Sequence, residues 1–431
     1  RTCFHKFSYV FPKKDVRVFP KTCTCFYTSD FQYTKNSIPK GRDIVGNSII
    51  FGLSLVTFSS TINMAQQSGR LLSLDVMRGI TIAGMILVNN PGSWKYVYTP
   101  LEHARWNGLT PTDLVFPFFM FIMGVSMFFS LRKYNFKLSK ESVTKVLRRT
   151  VLIFLVGLGL NLFGHVCYNG FTDFQNLRIL GVMQRLALAY GFGSLIGLAI
   201  NHKYILQVAA GILIFYWALL GFTHSMEMSE DSIIAIVDRT LFGTSHMYHD
   251  DMADGTRIAF DPEGLLSCIG SIAHVLLGFY VGKVIQDCKK NNELIIRNIF
   301  IFGTIILFAG FLLSYGCPIN KKIWSSTFVL VTCGFASLFL ALLIWIIDIN
   351  GKKKWTLFFE SFGINPLYLY VQGDILAVLL GMSGISAFMY MDLFRPIFGD
   401  FGGSLAWAIF FVVLNWIPGY FLYKKKIYIK L

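Results

Sequence analysis

Residues Leu101–Ser126 read LEHARWNGLTPTDLVFPFFMFIMGVS. From Leu114 onward the text is an apolar run that continues to Leu131, close to the length of one bilayer crossing. Directly before it stands Thr110-Pro111-Thr112-Asp113. Thr suits a helix N-cap, Pro the first helical position, and an acid at the third position faces free backbone N–H groups. Asp113 therefore has a structural use, and its carboxylate is also free to orient His103 if the two meet. An imidazole can take a proton from an amine or carry an acyl group. The bland reading of His103 is a polar loop residue. Trp106 and Asn107 beside it are candidate substrate contacts. Asn89-Asn90, closing the preceding apolar run, offer amides for an oxyanion or simply a helix C-cap before Pro91-Gly92.

Outward from this block, the chain repeats the apolar pattern. It has 431 residues, 54% hydrophobic and 15% charged, with mean hydropathy +0.55. A soluble domain carries about a quarter charged residues. Ten candidate spans centre on 74–92, 113–131, 149–166, 179–200, 204–223, 265–286, 295–315, 326–347, 362–381 and 404–423. The fold class is all-α, a polytopic bundle of about ten transmembrane helices. A β-barrel would show short alternating segments.

The net charge of +15 is not a nucleic-acid signal, because it is distributed by loop. Arg132, Lys133, Lys137, Lys140, Lys145, Arg148 and Arg149 lie between spans two and three. Lys289-Lys290, Lys352-Lys353-Lys354 and Lys424-Lys425-Lys426 fall in later alternate loops. The positive-inside rule makes that side cytoplasmic, with both core termini inside, and puts His103 outside. The longest outer loop, about 224–264, has nine acids against Arg239 and Arg257. It reads as an external lid or as an ordinary solvated loop.

Polar residues within spans include Arg78, Asn161, Gln184, Arg185, Asn365, Gln372 and Asp374. Such groups face a bundle interior or an aqueous cavity. Arg78 and Arg185 suit an anionic ligand from the cytoplasm, or pairing with Asp75 or Asp374. No Walker A loop or G-x-G-x-x-G fingerprint is present. The eight cysteines show no metal spacing and read as small core hydrophobes. His246 and His249 with Asp250 are a weak metal grouping, and no metal is expected.

Residues 1–63 carry nine Lys/Arg against three Asp/Glu and have no periodicity. They read as an extension ahead of a start at Met64, with a marginal span at 44–58. Residues 64–431 form the membrane domain.

The blocks LLSLDVMRGITIAGMILVNNPG (71–92) and HARWNGLTPTDLVFPFFMFIMGVS (103–126) resemble the membrane-embedded heparan-α-glucosaminide N-acetyltransferase family and its bacterial relatives. Further similar blocks are GVMQRLALAY (181–190), DPEGLLS (261–267), NKKIWSSTFVLVT (320–332) and FFESFGINPLYLYV (358–371). The resemblance implies acetyl transfer from cytoplasmic acetyl-CoA to an amine across the membrane. It places the active-site histidine on His103 and a functional asparagine on Asn89. Asp113 would set the imidazole tautomer, and Arg78, Arg185, Arg148 and Arg149 would meet CoA phosphates. Residues 1–63 do not resemble the lumenal domain of the animal enzymes, and the loops are terse. The expectation is a bacterial inner-membrane enzyme, homodimeric, acting on glucosamine, a chitosan-type oligosaccharide or a cell-wall amino sugar. The rivals are a secondary transporter for an amino sugar, for which no pair of correspondingly broken helices is visible, and a polysaccharide O-acyltransferase.

Overall fold

The computed structural model describes residues 71–172, 174–252, 255–288 and 291–429. The expectations placed on residues 1–63, and on Lys289 and Lys290, lie outside the described residues.

Among the described residues, nine helices are long and apolar enough to cross a membrane, or ten if one bent pair is counted as a span. The first four are α1 (Leu72–Asn89), α2 (Val115–Leu131), α3 (Lys140–Asn169) and α4 (Val182–Ala199). Next come α5 (Ile205–Phe222), the short α6 (Ile233–Phe242), α7 (Cys268–Asp287), α8 (Asn292–Leu313) and α9 (Ser326–Leu343). The bent pair is α10 (Thr356–Ile364) and α11 (Pro366–Met382), followed by α12 (Ile385–Phe388) and α13 (Arg395–Lys424). The only sheet among the described residues is a hairpin of β1 (His249–Asp251) and β2 (Arg257–Ala259).

The centre of the bundle is α2 against α7. Met120, Phe121, Val125, Val275, Leu276 and Phe279 are fully buried there. A Cβ at Gly124 would strike the Val275 carbonyl, and one at Gly278 the Phe121 carbonyl, so the two backbones meet only because both positions are glycine. α3 and α8 instead show bare apolar faces, among them Val151, Leu155, Ile305 and Phe308. Lipid is the fitting neighbour for such faces on spans.

The span expected at 362–381 is not one straight helix. It breaks by 88° between α10 and α11. Pro366 lacks an N–H and pushes the preceding residue out of helical geometry, and Asn365 sits at φ −121, ψ 55. The buried Asn365 amide then satisfies the chain's tail, donating to Ile427 O and accepting from Ile429 N, both at 2.8 Å.

Four connections gather at one end of the bundle. Gly108 N donates to Ile319 O (2.8 Å) and Ile179 N to His246 O (3.1 Å). Trp106 Nε1 donates to Met226 O at 3.0 Å. The long acidic connection is folded rather than loosely solvated. It forms a cap with its own small core of Ile234, Ala235, Ile258 and Phe260 against Tyr216, Leu220 and Ile323. At the opposite end, Phe136 packs on His202 with centroids 4.0 Å apart, and Arg132 donates to Gln286 at 2.5 Å.

Candidate active site

The site begins with the turn that opens α2. Thr110 adopts extended geometry and Pro111–Leu114 form a 3-10 turn. The Asp113 carboxylate turns back to accept from Thr110 N (3.2 Å) and Ala104 N (3.0 Å). These bonds use Oδ2. The other oxygen, Oδ1, lies 2.7 Å from His103 Nδ1. Asp113 is 1% exposed and the imidazole 45% exposed. The carboxylate is therefore an internal fixture and the ring its accessible end. With Nδ1–H given to Asp113, an assignment made from this geometry, the basic lone pair is on Nε2.

A third group joins them from a distant connection. Lys321 Nζ lies 3.0 Å from His103 Nδ1, 3.4 Å from Nε2 and 3.3 Å from Asp113 Oδ1. Its turn is locked locally. Asn320 Oδ1 accepts from Ile323 N at 3.1 Å, Ser325 Oγ accepts from Asn320 N at 3.0 Å, and Trp324 is buried at φ 51. Burial pulls the Lys321 ammonium below the usual lysine range, while Asp113 and Glu263 oppose that shift.

Beside this triad lies a charge cluster on the cap. Arg178 grips Asp261 in bidentate fashion (2.9 and 2.6 Å) and Glu263 at 2.7 Å. Despite burial, these two carboxylates hold the guanidinium above the ordinary arginine range. Arg178 also lines a cavity of about 470 Å³ with Asn89, Asn161, His165, Asn176 and Asp374. That volume is within the range of small-molecule sites. A second, apolar slot in the bundle is walled by Met85, Phe116, Met183, Leu186, Leu367 and Tyr370. At about 20 Å³ it has room for little more than one water.

The structure distributes the other candidates as follows. Asn89 is exposed on the cavity wall, and Asn90 caps α1 through Nδ2 to Ile86 O at 2.8 Å. Trp106 and Asn107 fasten their loop: Trp106 stacks edge-on with Phe260, and Asn107 Oδ1 accepts from Asn320 Nδ2 at 3.0 Å. Arg78 is held by Asp75 (3.1 Å), Gly363 O (3.2 Å) and Ser126 (2.7 Å). Arg185 lies at the His103 end, not the opposite one. It is 1% exposed, bonds Pro262 O and Ser267, and stacks over Trp324. Arg148 is exposed near the start of α3, and Arg149 stacks over Tyr190 at 4.7 Å. His246 Nδ1 bonds Leu177 O and Asp250 pairs with Lys322. Among the described residues, no group of three or more His, Cys, Asp and Glu could hold a metal ion. Sequence reasoning missed Lys321, Arg178, Asp261 and Glu263. For Lys321, Asp261 and Glu263 the signals were present in the blocks NKKIWSS and DPEGLLS, where single residues were not assigned roles; Arg178 lies in neither block.

Fold and site define a polytopic helical membrane protein with a histidine–carboxylate pair at one end of its bundle. The family described as heparan-α-glucosaminide N-acetyltransferase, catalytic, matches residues 70–238. The human heparan-α-glucosaminide N-acetyltransferase is 29% identical over 365 residues, covering 71% of this chain and 53% of that protein. The mouse protein of the same name is 27% identical over 377 residues, covering 72% and 54%. The chain is similar to these proteins and spans about half the length of these curated relatives.

Proposed function

We propose that the protein transfers an acetyl group from acetyl-CoA to the amine of an amino sugar on the far side of the membrane. The observation that carries this is the 2.7 Å contact between an accessible His103 and a buried Asp113. Asp113 fixes the tautomer and receives the positive charge when the ring is protonated. Nε2 then removes a proton from the acceptor nitrogen as that nitrogen attacks the thioester, or carries the acetyl group itself. Asn89, on the cavity wall, offers its amide to the thioester carbonyl. The polar side chains on the cavity wall, Asn89, Asn161, Arg178 and Asp374, suit a hydroxyl-rich acceptor such as glucosamine or a chitosan-type oligosaccharide. Arg148 and Arg149 are the cations proposed for CoA phosphates, since Arg78 is tied to Asp75, Gly363 O and Ser126 and Arg185 is buried at the His103 end. The positive-inside pattern supports a cytoplasmic end at Arg148 and an outer end at His103. The apolar slot has room for little more than one water and is too narrow for a pantetheine arm.

The break at Asn365 is the feature that favours transport, because broken helices offer backbone to ligands. Here the Asn365 side chain is consumed by residues 427 and 429, which leaves acetyl transfer the better reading.

The test is purified protein in vesicles with labelled acetyl-CoA and a panel of glucosamine, chitosan oligosaccharides and nitrogen-blocked analogues. Label on the sugar nitrogen is expected. Sugar uptake without label would mean transport, and label on blocked analogues would mean O-acylation.

A further inference from the structure

The Lys321 ammonium is a charged donor placed beside the base. A protonated Nδ1 has no lone pair for it. Its hydrogen bond within the protein therefore goes to Asp113 Oδ1, at 3.3 Å. An ammonium has three N–H groups, so donors remain for a ligand reacting near Nε2, which is 3.4 Å away. The locked 320–325 turn fixes the position in advance, and preorganised donors need no rearrangement as charge develops.

We propose that Lys321 is a catalytic residue that stabilises the oxyanion of the acetyl-transfer intermediate, an inference that rests on the acetyltransferase reading above. The acceptor nitrogen lone pair attacks the thioester carbon, and the carbonyl π pair moves to oxygen, where Lys321 donates an N–H. His103 Nε2 takes the proton from the nitrogen, and Asp113 holds the resulting imidazolium. The oxyanion pair then re-forms the carbonyl and the C–S bond breaks. The sulfur leaves with that bond's electrons and takes the proton from His103. The products are an amide and a free thiol, and no oxidant or metal enters the balance.

The ammonium form is required, so the groups facing Lys321 bear on the pH response. Asp113 beside it and Glu263 on the cap favour the charged form; burial and Arg185 on α4 oppose it, and His103 lies against it. The alkaline limb of the wild-type profile therefore reports loss of this proton. Arginine stays charged through that range.

The experiment measures kcat, KM and the pH profile for wild type, Lys321→Met, Lys321→Gln and Lys321→Arg, using acetyl-CoA and the best acceptor from the panel. Lys321→Met and Lys321→Gln are expected to lose about 10²–10³-fold in kcat, with both KM values within about threefold of wild type. Lys321→Arg is expected to regain part of the rate and to hold it further into alkaline pH. CoA binding measured on each variant shows that the bundle has assembled, and Lys321→Gln serves where Lys321→Met does not assemble. Wild-type kcat in Lys321→Gln overturns the proposal while leaving acetyl transfer intact. A loss confined to KM, or an arginine variant with an unshifted alkaline limb, overturns it likewise. A wild-type protein that acetylates no amine removes the parent reading, and this one with it.

Discussion

His103 and Asp113 are ten residues apart, and the sequence between them explains why they meet. The helix start at Thr110-Pro111 reverses the chain, and an acid at its third position points back along it. The helix start is thus legible from four letters, with the contact to His103 left conditional. Lys321 is 218 residues from His103, and its arrival depends on how α2 packs on α7 and α9, which no local pattern encodes. Trp106 and Asn107 show the reverse problem. Their types suit ligand contacts, yet the fold uses Trp106 to fasten the loop to the cap and Asn107 to fasten it to the Asn320 turn. Asp113→Asn tests the pair directly. An amide keeps the shape but cannot hold an imidazolium, so kcat is expected to fall at least about 10²-fold. CoA affinity, measured by equilibrium binding, should change little.

Most spans are legible as elements because hydropathy over 18 or more residues is a strong signal. The break at Asn365-Pro366 is visible as letters, but averaging over a window hides an 88° turn. The cap is less legible still. Its acids read equally as lid or solvated loop, because its core is assembled from separated residues such as Tyr216, Ile258 and Ile323. One of those acids carries a measurable consequence. Asp238 on α6 is fully buried, and one of its oxygens accepts from Leu265 N at 2.8 Å. Burial pushes its carboxyl up to about 7. Its folded value is thus above its unfolded one, so the folded state binds more protons between the two and stability falls as pH rises through that window. Asp238→Asn mimics the neutral form. Thermal unfolding in detergent at pH 5 to 8 is expected to show wild type losing stability with rising pH. The variant should lose less, by an amount on the order of 1–3 kcal/mol. Equal slopes would show that this carboxyl does not titrate as described.

At the scale of the whole molecule, the connections sort into two sets. Those carrying His103, Arg178, the cap and Lys321 bind one another, and those carrying Phe136 and His202 meet at the far end. That sorting follows the alternation of basic clusters read from the loops. Topology reporters inserted after Ser229 in the cap and after Lys352 are expected to report opposite sides of the membrane, with Lys352 cytoplasmic. Reporters on the same side would remove the transmembrane part of the proposed reaction. Acetyl transfer as proposed depends on an accessible imidazole anchored by a buried carboxylate. Its most direct test is labelled acetyl transfer by His103→Ala alongside wild type, with CoA binding measured on the same preparations. Loss of at least about 10³-fold in turnover with CoA binding preserved is expected, whereas wild-type turnover in the alanine variant would contradict the account at its centre.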